Sequence, residues 1–203
     1  MKAIQSIKRL AAGQSFLLAA LGDSLTSGWM VKKGYLDFLN DKLQDAYPKA
    51  QIKLSNHGLP GDTARGGLFR LQRQIIKNQP DAILIQFGIN DLYSDISADN
   101  YKTNIEAMIH LIREKYSAEI ILVTSVCFVT PGDNAAIKTF YQKLAELADE
   151  YALPLVKVHD YWQLKLDQGT PYNSIVKNDY VHPTEAGYQL MAEALMQVFE
   201  SSH

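Results

Sequence analysis

Apolar positions along the chain follow two alternating patterns. Short apolar runs occur at Phe16 to Gly22, Gln51 to Ser55, Ala82 to Phe87, Glu119 to Ser125 and Leu155 to Val158. Three of these five are almost wholly apolar, as strands covered on both faces must be. Between them lie segments of helical period: Tyr35 to Ala46, with Leu36, Leu39 and Leu43 on one stripe, then Thr63 to Asn78, Asn100 to Lys115 and Asn134 to Tyr151. A last helix opens at Pro183, a residue suited to a first helical turn, and runs to about Glu200. Ile4, Ile7, Leu10 and Ala11 share that spacing, so residues 3 to 12 read as a short helix within an N-terminal helical extension, 1–14. Strands alternating with helices are the sequence form of a parallel sheet wrapped by helices. The expected fold is therefore α/β, a three-layer α/β/α sandwich around a five-stranded parallel sheet, with residues 1–203 as one domain. Asp160 to Tyr180 reads as an irregular loop, not an interdomain linker, because only one helix follows it.

Composition narrows the function classes. The 203 residues carry 47% hydrophobic and 21% charged side chains, ordinary for a globular domain. A net charge of −2, with no long basic cluster, gives no electrostatic case for nucleic acid or for stable association with an anionic membrane. The lone cysteine, Cys127, excludes an internal disulfide framework and a cysteine zinc cluster; its apolar neighbours predict a buried thiol, and a reducing cytoplasm is the simplest compartment. The apolar run Phe16 to Leu21 is too short for a secretory h-region and leads directly into the candidate site.

In open α/β sheets ligands bind at the carboxyl ends of the strands, so the residues that follow each strand bear most on function. Gly22-Asp23-Ser24-Leu25 follows the first, Asn56-His57-Gly58-Leu59-Pro60-Gly61-Asp62-Thr63 the second, Gly88-Ile89-Asn90-Asp91 the third, and Asp179-Tyr180-Val181-His182 precedes the last helix. Acyl transfer needs a hydroxyl nucleophile, a base, a carboxylate to orient the base, and donors for the oxyanion. Ser24 offers the hydroxyl, His182 the base and Asp179 the orienting carboxylate. The backbone N–H groups of Ser24 and Gly61 and the Asn90 amide are the candidate oxyanion donors.

Taken together and in this order, the four segments resemble the four sequence blocks of the SGNH hydrolases, also called GDSL esterases and lipases. They span residues 22 to 183, most of the chain. The resemblance implies a flavodoxin-like sheet, carboxylic esters or thioesters as substrates, and an acyl-Ser24 intermediate formed without metal or cofactor. It implies the triad Ser24, Asp179 and His182 and the oxyanion hole Ser24, Gly61 and Asn90. The expected partner is a small-molecule ester. Acyl transfer to a sugar or other alcohol, a non-catalytic binding module and a homo-oligomer stay open at this point.

Other polar residues have plainer readings. Asp23 is expected to cap its turn, Asp91 to bond within its loop, and Thr63 to cap a helix. Of the five histidines, His110 and His203 read as structural or solvated, and His57 lies near the candidate site. His159-Asp160 is the rival base pair, disfavoured because adjacent side chains on an extended segment point apart. Trp29, Met30, Tyr93, Phe128, Tyr161, Trp162 and Tyr172 are expected in loops around the site, where they would make an apolar acyl or aryl pocket; small acetyl esters of sugars remain an alternative.

Overall fold

The structure is a computed structural model that describes residues 1–200. At its centre five parallel strands stand in the order β2-β1-β3-β4-β5. They are β1 Ser15–Gly22, β2 Gln51–Gly58, β3 Ala82–Gln86, β4 Glu119–Val123 and β5 Leu155–Val156. This is the flavodoxin-like order, whose switch point falls between β1 and β3. In the ladder Gly22 lies opposite both Gly58 and Gln86, Gln86 opposite Val123, and Val123 opposite Val156. All five strands therefore end level, and their following segments emerge along one edge.

Every residue of β3 is buried, as a central strand covered on both faces requires. Each such Ile or Leu contributes roughly 1.5–3 kcal/mol through removal from water. The edge strand β2 instead alternates, with Gln51 and Lys53 exposed and Ile52 and Leu54 half-buried. Helices α1 Ile4–Ala11, α3 Tyr35–Ala46, α8 Val158–Asp167 and α10 Glu185–Phe199 cover one face; α4 Ala64–Gln74, α6 Ala98–Lys115 and α7 Pro131–Glu150 cover the other. The short turns α2 Ser24–Ser27, α5 Ile89–Tyr93 and α9 Tyr172–Ile175 lie at or near the carboxyl edge. At the opposite edge Glu119 accepts from Gln5 N and Ser6 N, and from Ser6 Oγ at 2.6 Å, so a carboxylate sits at the positive start of α1. No helix among the described residues is long and apolar enough to cross a membrane.

Several boundaries differ from the sequence expectation. β2 runs to Gly58 because Asn56, His57 and Gly58 continue the ladder against Ala20, Leu21 and Gly22. α4 ends at Gln74, and a separate 3-10 turn spans Ile76–Asn78. α10 starts only at Glu185, where Thr184 Oγ1 accepts from Gly187 N, while Pro183 forms an antiparallel bridge with Val176. The largest correction concerns 160–180, which is mostly helical: α8 places Val158 and Trp162 one turn apart on its inner face, and the Trp162 ring is fully buried. Trp162 is thus core, not a site residue. His110 is exposed on α6 beside the Tyr151 hydroxyl, and His203 lies outside the described residues.

Candidate active site

Ser24 opens α2, directly after β1. Asp23 Oδ1 accepts the Leu25 N–H at 2.9 Å and caps the turn, while the Ser24 N–H, at the first helical position, has no intrahelical acceptor. The turn can lie on the strand ends because Gly58 has no side chain; a Cβ there would fall 2.1 Å from Ser27 N. This close seating leaves Ser24 only 9% exposed, with its hydroxyl turned toward His182.

The turn before α10 supplies the remaining polar groups. Asp179 Oδ1 accepts from Val181 N at 3.0 Å and His182 N at 2.9 Å, and Oδ2 lies 2.8 Å from His182 Nδ1. Partial burial raises the Asp179 pKa, but these donors outweigh it, and the net shift is downward. An ionised Asp179 requires the proton on Nδ1 of a neutral His182, so Nε2, 2.9 Å from Ser24 Oγ, is an acceptor for the serine O–H. Carboxylate, imidazole and hydroxyl form one continuous line that can carry a proton away from the serine oxygen.

Asp23, Ser24, Leu25, Ile89, Asn90, Tyr93, Asp179, Val181 and His182 line one cavity of about 240 Å³. Asn90 Nδ2 donates one hydrogen bond, to the Asp62 carbonyl oxygen at 2.9 Å, and its second N–H can serve another acceptor. Gly61 is not in the cavity lining; it adjoins Asp62 in the loop after β2, with φ +79, a left-handed conformation that glycine adopts at little cost. His57 stands behind this loop, bonded to Ser55 Oγ at 2.6 Å, and its pKa is lowered by burial and then by the Arg70 and Lys77 charges. The structure thus brings Ser24, Asn90, Asp179 and His182 around one space, with Gly61 joined to it through Asp62.

Two supports had little signal in the sequence. Arg70, on the inner face of α4, donates to Asp62 Oδ2 at 2.7 Å, His57 O at 2.6 Å and Gly22 O at 2.8 Å. It ties the Gly61–Asp62 loop to the ends of β1 and β2. Its position three residues after Gly67 and one before Leu71 was the available clue. Beneath Ser24, Gln86 donates to Asp23 Oδ2 and Ser125 Oγ and accepts from Thr26 Oγ1, which also meets the Tyr35 hydroxyl. Burial drives the Asp23 pKa up to about 7, against the opposing bonds from Leu25 and Gln86. Asp91 accepts from Ala64 N, and burial raises it to about 6. Thr63 caps α4.

His159 and Asp160 lie in the first turn of helix α8, and their side chains do meet, at 3.2 Å, unlike the extended arrangement expected. The His159 ring is nevertheless buried away from Ser24 and faces Asn134. Of the aromatic set, Tyr93 lines the Ser24 cavity, and its ring meets Phe128 edge-on at 6.0 Å. Tyr172 bridges the carbonyls of Cys127 and Tyr180, Tyr161 bonds Glu193 on the far side of α8, and Trp29 and Met30 stand exposed after α2. Cys127 is buried, which raises its thiol pKa to about 11.

Known proteins match this chain along most of its length. An acetylxylan esterase of Geobacillus stearothermophilus is 23% identical over 93% of this chain and 95% of its own. An arylesterase of Vibrio mimicus is 30% identical over 73% of this chain and 75% of its own. The crystal structure of the Geobacillus esterase superposes with a TM-score of 0.82 at 21% identity, covering 92% of this chain and 95% of that one, and so shares the fold. Residues 20–190 match the GDSL-like lipase/acylhydrolase family, to which this chain belongs as a carboxylic ester hydrolase.

Proposed function

We propose that the protein hydrolyses carboxylic esters of small to medium acyl groups through an acyl-Ser24 intermediate. The observation that carries this reading is the line Asp179 Oδ2, His182 Nδ1, His182 Nε2 and Ser24 Oγ, with contacts of 2.8 and 2.9 Å. Ser24 Oγ attacks the ester carbonyl carbon and its proton passes to His182 Nε2. Asp179 stabilises the imidazolium and holds its orientation. The carbonyl oxygen takes up negative charge, which the N–H groups of Ser24 and Gly61 and the free amide hydrogen of Asn90 stabilise. As the bond to the leaving oxygen breaks, His182 returns the proton to the departing alcohol. Water then attacks the acyl carbon, gives its proton to His182, and the acid leaves as Ser24 recovers it.

Leu25, Ile89, Tyr93 and Val181 give the cavity a largely apolar wall. Catalytic mutants of the Geobacillus acetylxylan esterase have a serine, an aspartate or a histidine replaced, the residue types assigned here. A fluorophosphonate probe tests the assignment: it should label the wild type and not Ser24→Ala, and equal labelling of both would overturn the reading.

A further inference from the structure

The pair His159–Asp160 has no part in this chemistry, yet its bonding is unusually specific. The Phe128 N–H can only donate, so the Asn134 atom 3.1 Å away from it is the amide oxygen. The same oxygen lies 2.9 Å from His159 Nε2, which must therefore carry a hydrogen. Burial lowers the His159 pKa against the hydrogen bond and charge of Asp160, and the nearby Lys138 charge adds to the lowering. Asp160, two-thirds exposed, meets Nδ1 at 3.2 Å. The rest of the ring's surroundings fix it further: its own backbone N–H bonds Thr124 Oγ1, and the Tyr141 ring packs edge-on at 5.3 Å; Lys157, with Lys138 and Asp160, lines the shallow cavity beside it.

This contact bears on the segment 126–134, which carries Phe128, Val129 and Thr130 along a groove of about 340 Å³. The groove shares Tyr93, Asp179 and Val181 with the Ser24 cavity, so it continues the site. We infer that His159, acting through Asn134, is a positioning residue that fixes the Phe128 wall of this groove and thereby sets how well esters larger than acetyl are taken. The inference rests on the esterase reading above.

Two variants test it. In His159→Gln the amide can still donate to Asn134; in His159→Leu no donor remains. For each, the ratio of kcat/KM on p-nitrophenyl hexanoate to that on p-nitrophenyl acetate is measured. Taking the ratio cancels any common change in the catalytic steps. In the Leu variant the ratio should fall about 5-fold, the size of one ordinary lost hydrogen bond, while the Gln variant should stay within about 2-fold of wild type. The Phe128 backbone amide, followed by NMR, should shift in the Leu variant and return toward its wild-type position in the Gln variant. A folded Leu variant with an unchanged ratio overturns the inference, as does a Phe128 amide that ignores the substitution. If the esterase reading itself were wrong, the wild type would be inactive on both esters, and the amide shift would still report on the contact.

Discussion

His182 and Asp179 lie three residues apart on the turn before α10; His159 and Asp160 are neighbours at the start of α8, on the same edge of the sheet. Each histidine has one ring nitrogen on an aspartate and the other on an oxygen of a distant residue, Ser24 in one case and Asn134 in the other. The partners differ in what they can do. A serine hydroxyl can give up its proton and become a nucleophile, whereas an amide oxygen only accepts, so the second ring acts as a tether. Support for the carboxylates differs as well: Asp179 receives two backbone N–H groups that hold it charged, while Asp160 has no such cradle among the described residues. The partner of the far nitrogen, and the bonds behind the carboxylate, decide whether a histidine–aspartate pair is chemical or structural.

The strongest way to break that distinction is to remove the first imidazole. His182→Ala should lower kcat/KM on p-nitrophenyl acetate by about 10⁴-fold or more, as expected for members of a unit that acts together. A loss under about 10-fold would show that another group is the base. Next come the carboxylates. Asp179→Asn should cost about 10³-fold to 10⁴-fold by favouring the wrong tautomer, and Asp160→Asn less than about 2-fold, in the same assay. Comparable losses from the two would erase the difference between the pairs.

A smaller effect concerns stability and involves a third carboxylate. Asp23 holds its proton to about pH 7 in the folded protein, above the ordinary carboxylate value of 3.8. The folded state therefore binds more protons than the unfolded state between those values, and stability falls as pH rises through them. Asp23→Asn has no such titration, so its urea-unfolding free energy should decline less between pH 4 and pH 8, by roughly 2–4 kcal/mol. Parallel pH profiles for the two proteins would show that Asp23 is charged at little cost. Comparing slopes removes any constant cost of the amide.

How far the sequence reached can be followed through individual residues. The five strands and the layers were implied by apolar runs alternating with helical stripes, since burial on both faces leaves a direct mark on composition; the flavodoxin-like order was implied by the family resemblance alone. That Ser24, Asn90, Asp179 and His182 face one space was legible because their loop blocks occur in order along one edge of the sheet, although each block alone reads as an ordinary turn. Arg70 was not, because its partners lie 8, 13 and 48 residues away and only folding brings them together. Helix α8 was hidden by Trp162 and the following glycine and proline, which read as loop chemistry although Trp162 is a core residue. The Asn134 contact was equally invisible, since nothing local links it to a histidine 25 positions later.

The Arg70 guanidinium has a consequence for how the site comes apart. One nearly buried cation joins the Gly61–Asp62 loop to the ends of β1 and β2, and opening that loop would strand it without its carboxylate. Local opening on this flank therefore carries the cost of an unpaired, poorly hydrated charge, and its amides should exchange more slowly than those of an unanchored loop. The flank formed by 126–134 is held by neutral hydrogen bonds: Asn134 Oδ1 accepts from the Phe128 N–H, and the Tyr141 and Tyr172 hydroxyls donate to the carbonyls of Val126 and Cys127. The Gly61–Asp62 side of the site is thus tied to the core through a charge, and the Phe128 side through neutral bonds.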